Sequence, residues 1–162
     1  MRIGIGAAAE LEPIYAAAFG SASEAAAWRS DTLPKHAARE GFRMVGAREA
    51  DRLVGFAYGY TGAPGQWWTD QIAARVPPAL ATEWVGGHFE FVELAVLPSH
   101  GGRGLGAALH DELLDGLPHR VALLTATLDE NGPARRLYRR KGWQLLHDRV
   151  FDDAALLGKR LR

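Results

Sequence analysis

The sequence contains no cysteine, and this absence excludes several kinds of chemistry at the outset. Without thiols the chain forms no disulfide, no thiolate metal site and no covalent intermediate on sulfur. It also has no net charge at pH 7, because 19 Lys and Arg balance 19 Asp and Glu. A neutral chain lacks the overall basic field that attracts nucleic acid or acidic membranes. We therefore expect neither as a partner, and any anion must bind at a local site.

Long apolar runs are also missing from the sequence. No segment approaches the roughly 18 consecutive apolar residues that a membrane-spanning helix needs, and residues 1–10 are too polar for a signal peptide. We therefore expect a cytoplasmic protein. The length of 162 residues suits one domain, taken here as 1–162, with a core large enough to frame a cofactor cleft. The oligomeric state is left open, with a homodimer as one option.

The spacing of apolar residues predicts an α/β fold with a mixed sheet. A short strand at 3–5 precedes helices at 10–19, 23–29 and 32–40, the last two broken near Pro34. A hairpin follows at 42–48 and 53–60, and then an irregular segment at 61–87 with a helix at 67–75. The second half reads as strand 89–97, helix 104–117, strand 121–127, helix 133–141 and strand 143–151. Strands joined first by a hairpin and later by helices indicate a mixed sheet flanked by helices.

A strand, a glycine-rich turn and a helix follow one another between Val96 and Leu109. Glycines let backbone amides approach a ligand, and the amino end of a helix adds unpaired N–H groups and a partial positive charge. A pyrophosphate suits such a cradle. No Lys-Ser or Lys-Thr pair follows the glycines as in a P-loop, and the strand does not open a Rossmann fold. Taken alone, the turn is equally compatible with a purely structural role.

Four segments together resemble the GCN5-related N-acetyltransferase (GNAT) family: LAVLP at 94–98, RGLG at 103–106, NGPARRLY at 131–138 and KGW at 141–143. The resemblance covers 89–143 in order and spacing, and the earlier half only in its order of helices and hairpin. It implies a GNAT-like central mixed β-sheet with splayed strands that form an acetyl-CoA cleft. The implied activity is acetyl transfer from acetyl-CoA, without a metal, to a primary amine. A small-molecule amine is the expected acceptor, and a protein amino terminus is an alternative.

The resemblance also assigns the residues that bind the cofactor. The strand backbone would align the pantetheine arm, and the glycine turn would hold the pyrophosphate. The family usually carries Gln or Arg at the position of Gly101, so we expect a rearranged contact in which Arg103 supplies the charge. The predicted cofactor-binding residues are Leu94, Ala95, Val96, Gly101, Gly102, Arg103, Gly104, Leu105, Gly106, Ala107, Asn131, Ala134 and Tyr138. The strand residues could instead only pack in the core, and Asn131 could instead be a helix N-cap. Asn131 lies seven residues, two helical turns, before Tyr138, which places both on the same helix face.

The predicted catalytic residues are a phenol and two carboxylates. By resemblance Tyr138 is the general acid that protonates the leaving CoA thiolate, a role that suits a phenol. The attacking amine must lose a proton, and Glu90 and Glu93 lie on the strand that would border the acceptor. Strand alternation places them on opposite faces, so one of them is the expected base, and Glu93 is preferred because the family often has an acid before the Leu-x-Val segment. A core aromatic and salt-bridged structural carboxylates are the alternatives.

The irregular segment offers a predicted acceptor-binding group, because aromatic faces beside a carboxylate suit a cationic amine. Its members are Trp67, Trp68, Asp70 and Trp84, although tryptophans there could simply pack. The histidines have no His-x-x-x-His spacing, so no metal site is predicted. Surface or capping roles are expected for His88, His100, His110 and His119.

A rival interpretation is a CoA-binding regulatory or partner-binding module that kept the fold and lost turnover. Gly101, in place of the usual Gln or Arg, motivates it. Retention of Asn131 and Tyr138 argues against it.

Overall fold

A computed structural model describes residues 1–162. Its first half contains three helices, a hairpin and two more helices: α1 (Ala8–Phe19), α2 (Ala22–Ala27), α3 (Leu33–Ala37), β1 (Arg43–Glu49), β2 (Arg52–Thr61), α4 (Trp67–Arg75) and α5 (Pro78–Trp84). The second half contains β3 (Phe89–Val96), α6 (Leu105–Leu114), β4 (Val121–Thr127), α7 (Pro133–Arg140), β5 (Gln144–Phe151) and β6 (Ala154–Arg160). None of the helices has both the length and the apolar character needed to cross a bilayer.

The six strands form one mixed sheet in the order β1-β2-β3-β4-β6-β5, which confirms the predicted fold class. β1 and β2 are antiparallel, and their turn contains Ala50 at a φ of 52°. β3 and β4 are parallel, pairing Phe89 with Ala122 and Glu90 with Leu123, as expected for strands joined through a helix. β6 is antiparallel to both β4 and β5. β6 was missed, since no strand was predicted after residue 151.

The chain divides into two compact units. The first unit comprises residues 1–60 and 92–116, and the second comprises 61–91 and 117–162. The core of the first unit joins α1 to the β1–β2 hairpin and includes Leu11, Ile14, Trp28, Met44, Phe56 and Tyr58. The core of the second unit packs α4 and α5 on the sheet and includes Ile72, Val76, Trp84, Val121, Leu123 and Leu156. The single-domain expectation stays a prediction.

Three details of the predicted secondary structure were wrong. Residues 3–5 form no strand; a single bridge joins Arg2 to Val45, and a 3₁₀ turn follows. The helical run does not break before Pro34, because a π-helical turn (Trp28–Thr32) carries it into α3. The N–H of Leu33 donates to the carbonyl of Trp28. Pro34 lies in the first turn of α3, a position that tolerates the missing backbone N–H of proline. α5 was missed because the prolines before it were taken as breakers, whereas a first-turn proline starts a helix.

Candidate active site

The glycine-rich turn between β3 and α6 lies in the first unit and has the backbone that an anion cradle needs. Gly104 is the N-cap of α6 in the left-handed conformation, with φ 78° and ψ 6°, and Gly102 has a φ of 73°. L-amino acids with a side chain rarely adopt this conformation, so glycine is strongly favoured at both positions. A Cβ built at Gly102 or Gly104 would meet nothing within 4 Å, so the space above the turn is open. Open space over a helix amino end fits the pyrophosphate that the sequence predicts there.

Arg103, the predicted phosphate contact, is paired with a carboxylate that the sequence analysis missed. Its Nη1 lies 3.4 Å from Oε1 of Glu49, the last residue of β1. The other oxygen of Glu49 lies 2.5 Å from Nε2 of His100. The hydrogen bond with His100 is the largest cause that lowers the pKa of Glu49, and Arg103 lowers it further. The contact with Glu49 thus positions the guanidinium of Arg103 beside the glycine-rich turn.

The three predicted pantetheine residues lie on β3 in close contact with β2. Ala95 is buried, and a Cβ at Gly55 would stand 3.1 Å from its carbonyl oxygen. Leu94 and Val96 are partly buried. Their side chains therefore pack, while the backbone role stays a prediction. Leu105, Gly106 and Ala107 follow as the partly buried first turn of α6.

Glu93, on the same strand, has the electrostatics of a base. The side chain is partly buried, and burial raises its pKa from 4.5 to about 8. Burial also raises the pKa of Tyr15 and Tyr58, and the negative charge of Glu93 is the next largest cause for both. The carboxylate thus lies near two phenols. A carboxyl group with such a pKa gains and loses a proton close to neutral pH.

The two phenols near Glu93 belong to an aromatic wall that was not predicted, made of Tyr15, Trp28, His36 and Tyr58. Trp28 stacks on Tyr15 with ring centres 4.5 Å apart and donates its Nε1–H to the Tyr58 hydroxyl at 3.2 Å. Nδ1 of His36 lies 2.9 Å from the same hydroxyl. Burial, followed by the charge of Arg39, lowers the pKa of His36 to about 4, so the imidazole is neutral at pH 7. In the tautomer that carries its proton on Nε2, Nδ1 of His36 accepts the proton of Tyr58.

The other predicted base, Glu90, lies in the second unit. It is 5% exposed, and its position in β3 is paired with Leu123 of β4. Glu93 is only partly buried, so it is the more accessible of the two carboxylates. The choice of base stays a prediction.

Tyr138, also in the second unit, is fixed by aromatic packing on α7. Its side chain is buried, and its ring makes edge contacts with Phe91 at 6.0 Å and Trp143 at 5.8 Å between centroids. Pro133 begins the helix five residues earlier. The core-aromatic interpretation thus holds for the ring, and the role of the hydroxyl stays a prediction.

The alternative that Asn131 caps α7 is excluded, and its cofactor-binding role stays a prediction. Gly132 is the N-cap, with extended backbone at φ −69° and ψ 160°, and Asn131 lies outside the helix. The N–H of Asn131 donates to Oδ1 of Asp129 at 3.0 Å, which closes the preceding turn. The argument that Asn131 shares a helix face with Tyr138 therefore fails. Ala134 lies exposed in the first turn of α7.

Each member of the predicted acceptor-binding group has a structural contact in the second unit. Trp84 is 3% exposed, and the Arg160 guanidinium covers its ring at 4.8 Å. Trp68 packs on the core with its ring 5.8 Å from that of His88. Trp67 is 66% exposed and stacks on Phe151. Asp70 accepts the N–H of Gly65 at 3.0 Å. The packing alternative thus explains Trp84, and the binding role of the group stays a prediction.

Surface or capping positions were wrongly expected for three of the histidines. His88, His100 and His110 are buried. Nδ1 of His88 accepts the N–H of Gly86 at 3.0 Å, and Nδ1 of His110 lies 2.9 Å from Oδ1 of Asp111. Burial, followed by the charge of His119, lowers the pKa of His88 to about 4. His119 is partly buried, with Nε2 2.8 Å from the Thr61 hydroxyl.

Comparison with known proteins decides the family. A sequence model of the acetyltransferase (GNAT) family matches residues 8–143. The chain belongs to the GNAT family. Membership in a family named for acetyl transfer supports the activity proposed below.

Individual relatives agree with this assignment. The chain is 44% identical over 98 residues to the GCN5-like protein acetyltransferase Rv2170 of Mycobacterium tuberculosis, covering 56% of this chain and 48% of the relative. The match thus spans about half of that relative's length. A putative GNAT acetyltransferase from Desulfovibrio desulfuricans has a similar structure, with a TM-score of 0.70, 20% identity and coverage of 100% and 98%. The PaiA N-acetyltransferase of Thermoplasma acidophilum, solved with coenzyme A, has a TM-score of 0.67, 12% identity and coverage of 99% and 96%. The two structures support the fold.

Proposed function

We propose that this chain is an acetyl-CoA-dependent N-acetyltransferase that acylates the primary amine of a small molecule by direct attack on the thioester. The observation that carries the proposal is the position of Glu93, a partly buried carboxyl on the strand that leads into the open glycine-rich turn. Burial raises its pKa to about 8, which suits removal of a proton from an amine. An ammonium ion has no free lone pair, so a base of this kind is the chemical requirement of N-acylation. The expectation of a cytoplasmic protein without nucleic-acid or membrane partners accompanies the proposal.

The first unit supplies the cofactor-binding residues of the proposal. Acetyl-CoA brings the activated acetyl group as a thioester. The backbone amides of 102–107 and the amino end of α6 hold the pyrophosphate, and Arg103 adds a positive charge. The backbone of 94–96 aligns the pantetheine arm. An N–H near Val96 polarises the acetyl carbonyl, and such stabilisation of developing negative charge is usually the largest catalytic contribution.

Two residues are proposed to move protons. Glu93 takes the proton of the attacking amine, and the phenol of Tyr138 gives one to the leaving sulfur. The aromatic wall holds Tyr58 beside Glu93 through hydrogen bonds with Trp28 and His36. Glu90 is the alternative base, and its burial makes it the weaker one.

The proposal is tested by CoA release with a panel of acceptors, together with melting curves with and without cofactor. A ligand that binds only the folded state raises the melting temperature, so millimolar acetyl-CoA or CoA should do so. The panel contains an aminoglycoside, a polyamine and an amino acid. Turnover with one of these supports the proposal. A cofactor-induced shift without turnover on any acceptor would favour the non-catalytic CoA-binding module, and no shift would reject cofactor binding.

A second candidate acceptor is a protein amine. It is favoured by the 44% identical relative, which is described as a protein acetyltransferase. The panel therefore includes one peptide with an internal lysine and one with a free amino terminus. Turnover on a peptide but on no small amine would replace the small-molecule acceptor by a protein.

A further inference from the structure

One carboxylate joins the glycine-rich turn to the β1–β2 hairpin within the first unit. Oε2 of Glu49 lies 2.5 Å from Nε2 of His100, in the residue just before the glycines. Oε1 lies 3.4 Å from Nη1 of Arg103, between the two left-handed glycines. Glu49 and His100 are 51 residues apart in the sequence. A single side chain of the hairpin thus contacts the turn at two points.

Burial and hydrogen bonds fix the position of His100 in this contact. The side chain of His100 is 11% exposed, whereas those of Glu49 and Arg103 are 61% and 58% exposed. Its second ring nitrogen, Nδ1, lies 2.8 Å from the Ser99 hydroxyl, so both nitrogens have partners. The backbone N–H of His100 donates to the Leu97 carbonyl at 2.8 Å. Ring and backbone are therefore both fixed at the entrance of the turn.

The turn beyond His100 needs such a support. Gly102 and Gly104 have left-handed backbones, and a Cβ there would meet nothing within 4 Å, so no neighbouring atom packs over these positions. Glycine also loses more conformational freedom on ordering than any other residue. A turn of this kind presents its amides in one arrangement only if something outside it limits its motion. A turn that is already ordered before CoA binds loses less conformational entropy on binding, so it binds the ligand more tightly.

We propose that Glu49 and His100 are positioning residues: their hydrogen bond preorganises the glycine-rich turn and thereby sets the affinity for the pyrophosphate of CoA. The proposal rests on the proposed function, because it assumes that the turn binds CoA. Neither residue contacts the reacting thioester or amine in this scheme. Arg103 is the phosphate contact, and Glu49 balances its charge when no phosphate is bound.

The test compares Glu49→Gln with Glu49→Leu. Both variants remove the charge opposite Arg103, but only the glutamine keeps an oxygen that accepts a hydrogen bond from His100. The Kd of CoA is measured by calorimetry for each. We expect the leucine variant to bind CoA about 5- to 20-fold more weakly than the glutamine variant, the loss typical of one hydrogen bond of this kind. Because Glu49 is mostly exposed, both variants should fold.

His100→Phe, introduced into each background, shows whether the effect runs through the histidine. It should weaken CoA binding in the glutamine background and leave the leucine background unchanged, since the hydrogen bond is already missing there. kcat/KM is also measured with acetyl-pantetheine, which lacks the pyrophosphate. It should be equal in all variants, whereas a general loss of structure would lower it together with that of acetyl-CoA.

Equal CoA affinity of the Gln and Leu variants would overturn the proposal, and so would an equal loss with acetyl-pantetheine. If wild-type chain binds CoA while these differences are absent, only the positioning role fails. If wild-type chain binds no CoA, the proposed function fails and the positioning role fails with it.

Discussion

Replacing Glu93 by glutamine tests the proposed base through both activity and stability. The native carboxyl has a pKa of about 8, whereas the ordinary value is 4.5. The folded state therefore holds a proton that the unfolded chain releases as the pH rises above 4.5. Stability is full below pH 4.5, falls as the pH rises from 4.5 to 8, and stays low above pH 8. Glutamine is uncharged at every pH, so Glu93→Gln removes this loss.

The size of the effect follows from the two pKa values. Each pKa unit corresponds to about 1.4 kcal/mol, so the complete change would be worth roughly 5 kcal/mol. Because the side chain is partly exposed, screening by solvent reduces this to about 2 to 3 kcal/mol. For a chain of this size the difference raises the melting temperature by about 5 to 10 °C. We expect that gain for Glu93→Gln at pH 9 and almost none at pH 5.

The same variant should lose activity, because it removes the proton acceptor. We expect kcat/KM to fall about 10²- to 10⁴-fold and the rise of wild-type kcat/KM around pH 8 to disappear. Two acceptors whose amines have different pKa values separate the enzyme's ionisation from that of the substrate. Glu90→Gln is the matched control and should keep the pH profile. A wild-type profile in Glu93→Gln, or a stability gain equal at pH 5 and pH 9, would refute the reasoning.

Two further substitutions test the remaining parts of the site. Tyr138→Phe keeps the ring packing and removes the phenolic proton donor, so kcat should fall about 10- to 10⁴-fold while the melting temperature and the CoA affinity stay unchanged. A wild-type kcat would remove Tyr138 from the mechanism, provided that no pre-steady-state burst shows product release to be rate-limiting. Gly104→Val should abolish tight CoA binding. Gly65→Val is the control: it forces valine into a similar backbone, with a φ of 91°, and should leave the CoA affinity intact. Equal CoA affinities of the two folded variants would make the glycine turn purely structural.

Local signals predicted the second half of the fold well. β4 has the predicted bounds, Val121–Thr127, and α7 begins at Pro133 as the proline predicts. α6 is shorter than expected, since it ends at Leu114 before Gly116, whose φ is 66°. Glycine and proline restrict the backbone at their own positions, so their effects can be read without knowledge of the tertiary structure.

The candidate site was less predictable, because its contacts join distant parts of the chain. Glu93 was identified on its strand, but its neighbour Tyr15 comes from α1 and was regarded only as part of an amphipathic helix. The pair of Glu49 and His100 is formed across 51 residues. The alternation Phe56-x-Tyr58-x-Tyr60 on β2 was an available signal for an aromatic face, and it was used only to predict a strand.

The hydrogen bonds of the aromatic wall help to explain why the pKa of Glu93 stays high. Trp28 donates to the Tyr58 hydroxyl, and His36 accepts the single proton of that hydroxyl when the imidazole proton is on Nε2. In that tautomer Tyr58 gives no hydrogen bond to the carboxylate near it, although such a bond would favour the charged form and lower the pKa of Glu93.

His36→Leu should release the Tyr58 proton toward Glu93. We expect the rise of kcat/KM with pH to move to lower pH by about one unit, because a hydrogen bond to the carboxylate then stabilises its charge. The double variant with Tyr58→Phe is the control: it has no phenolic proton to redirect, so its profile should stay near that of Tyr58→Phe alone. Profiles measured with the same acceptor, on variants shown by melting to be folded, decide the matter. If His36→Leu leaves the profile in place, the pKa of Glu93 depends on burial alone and the direction of the Tyr58 proton has no part in setting it.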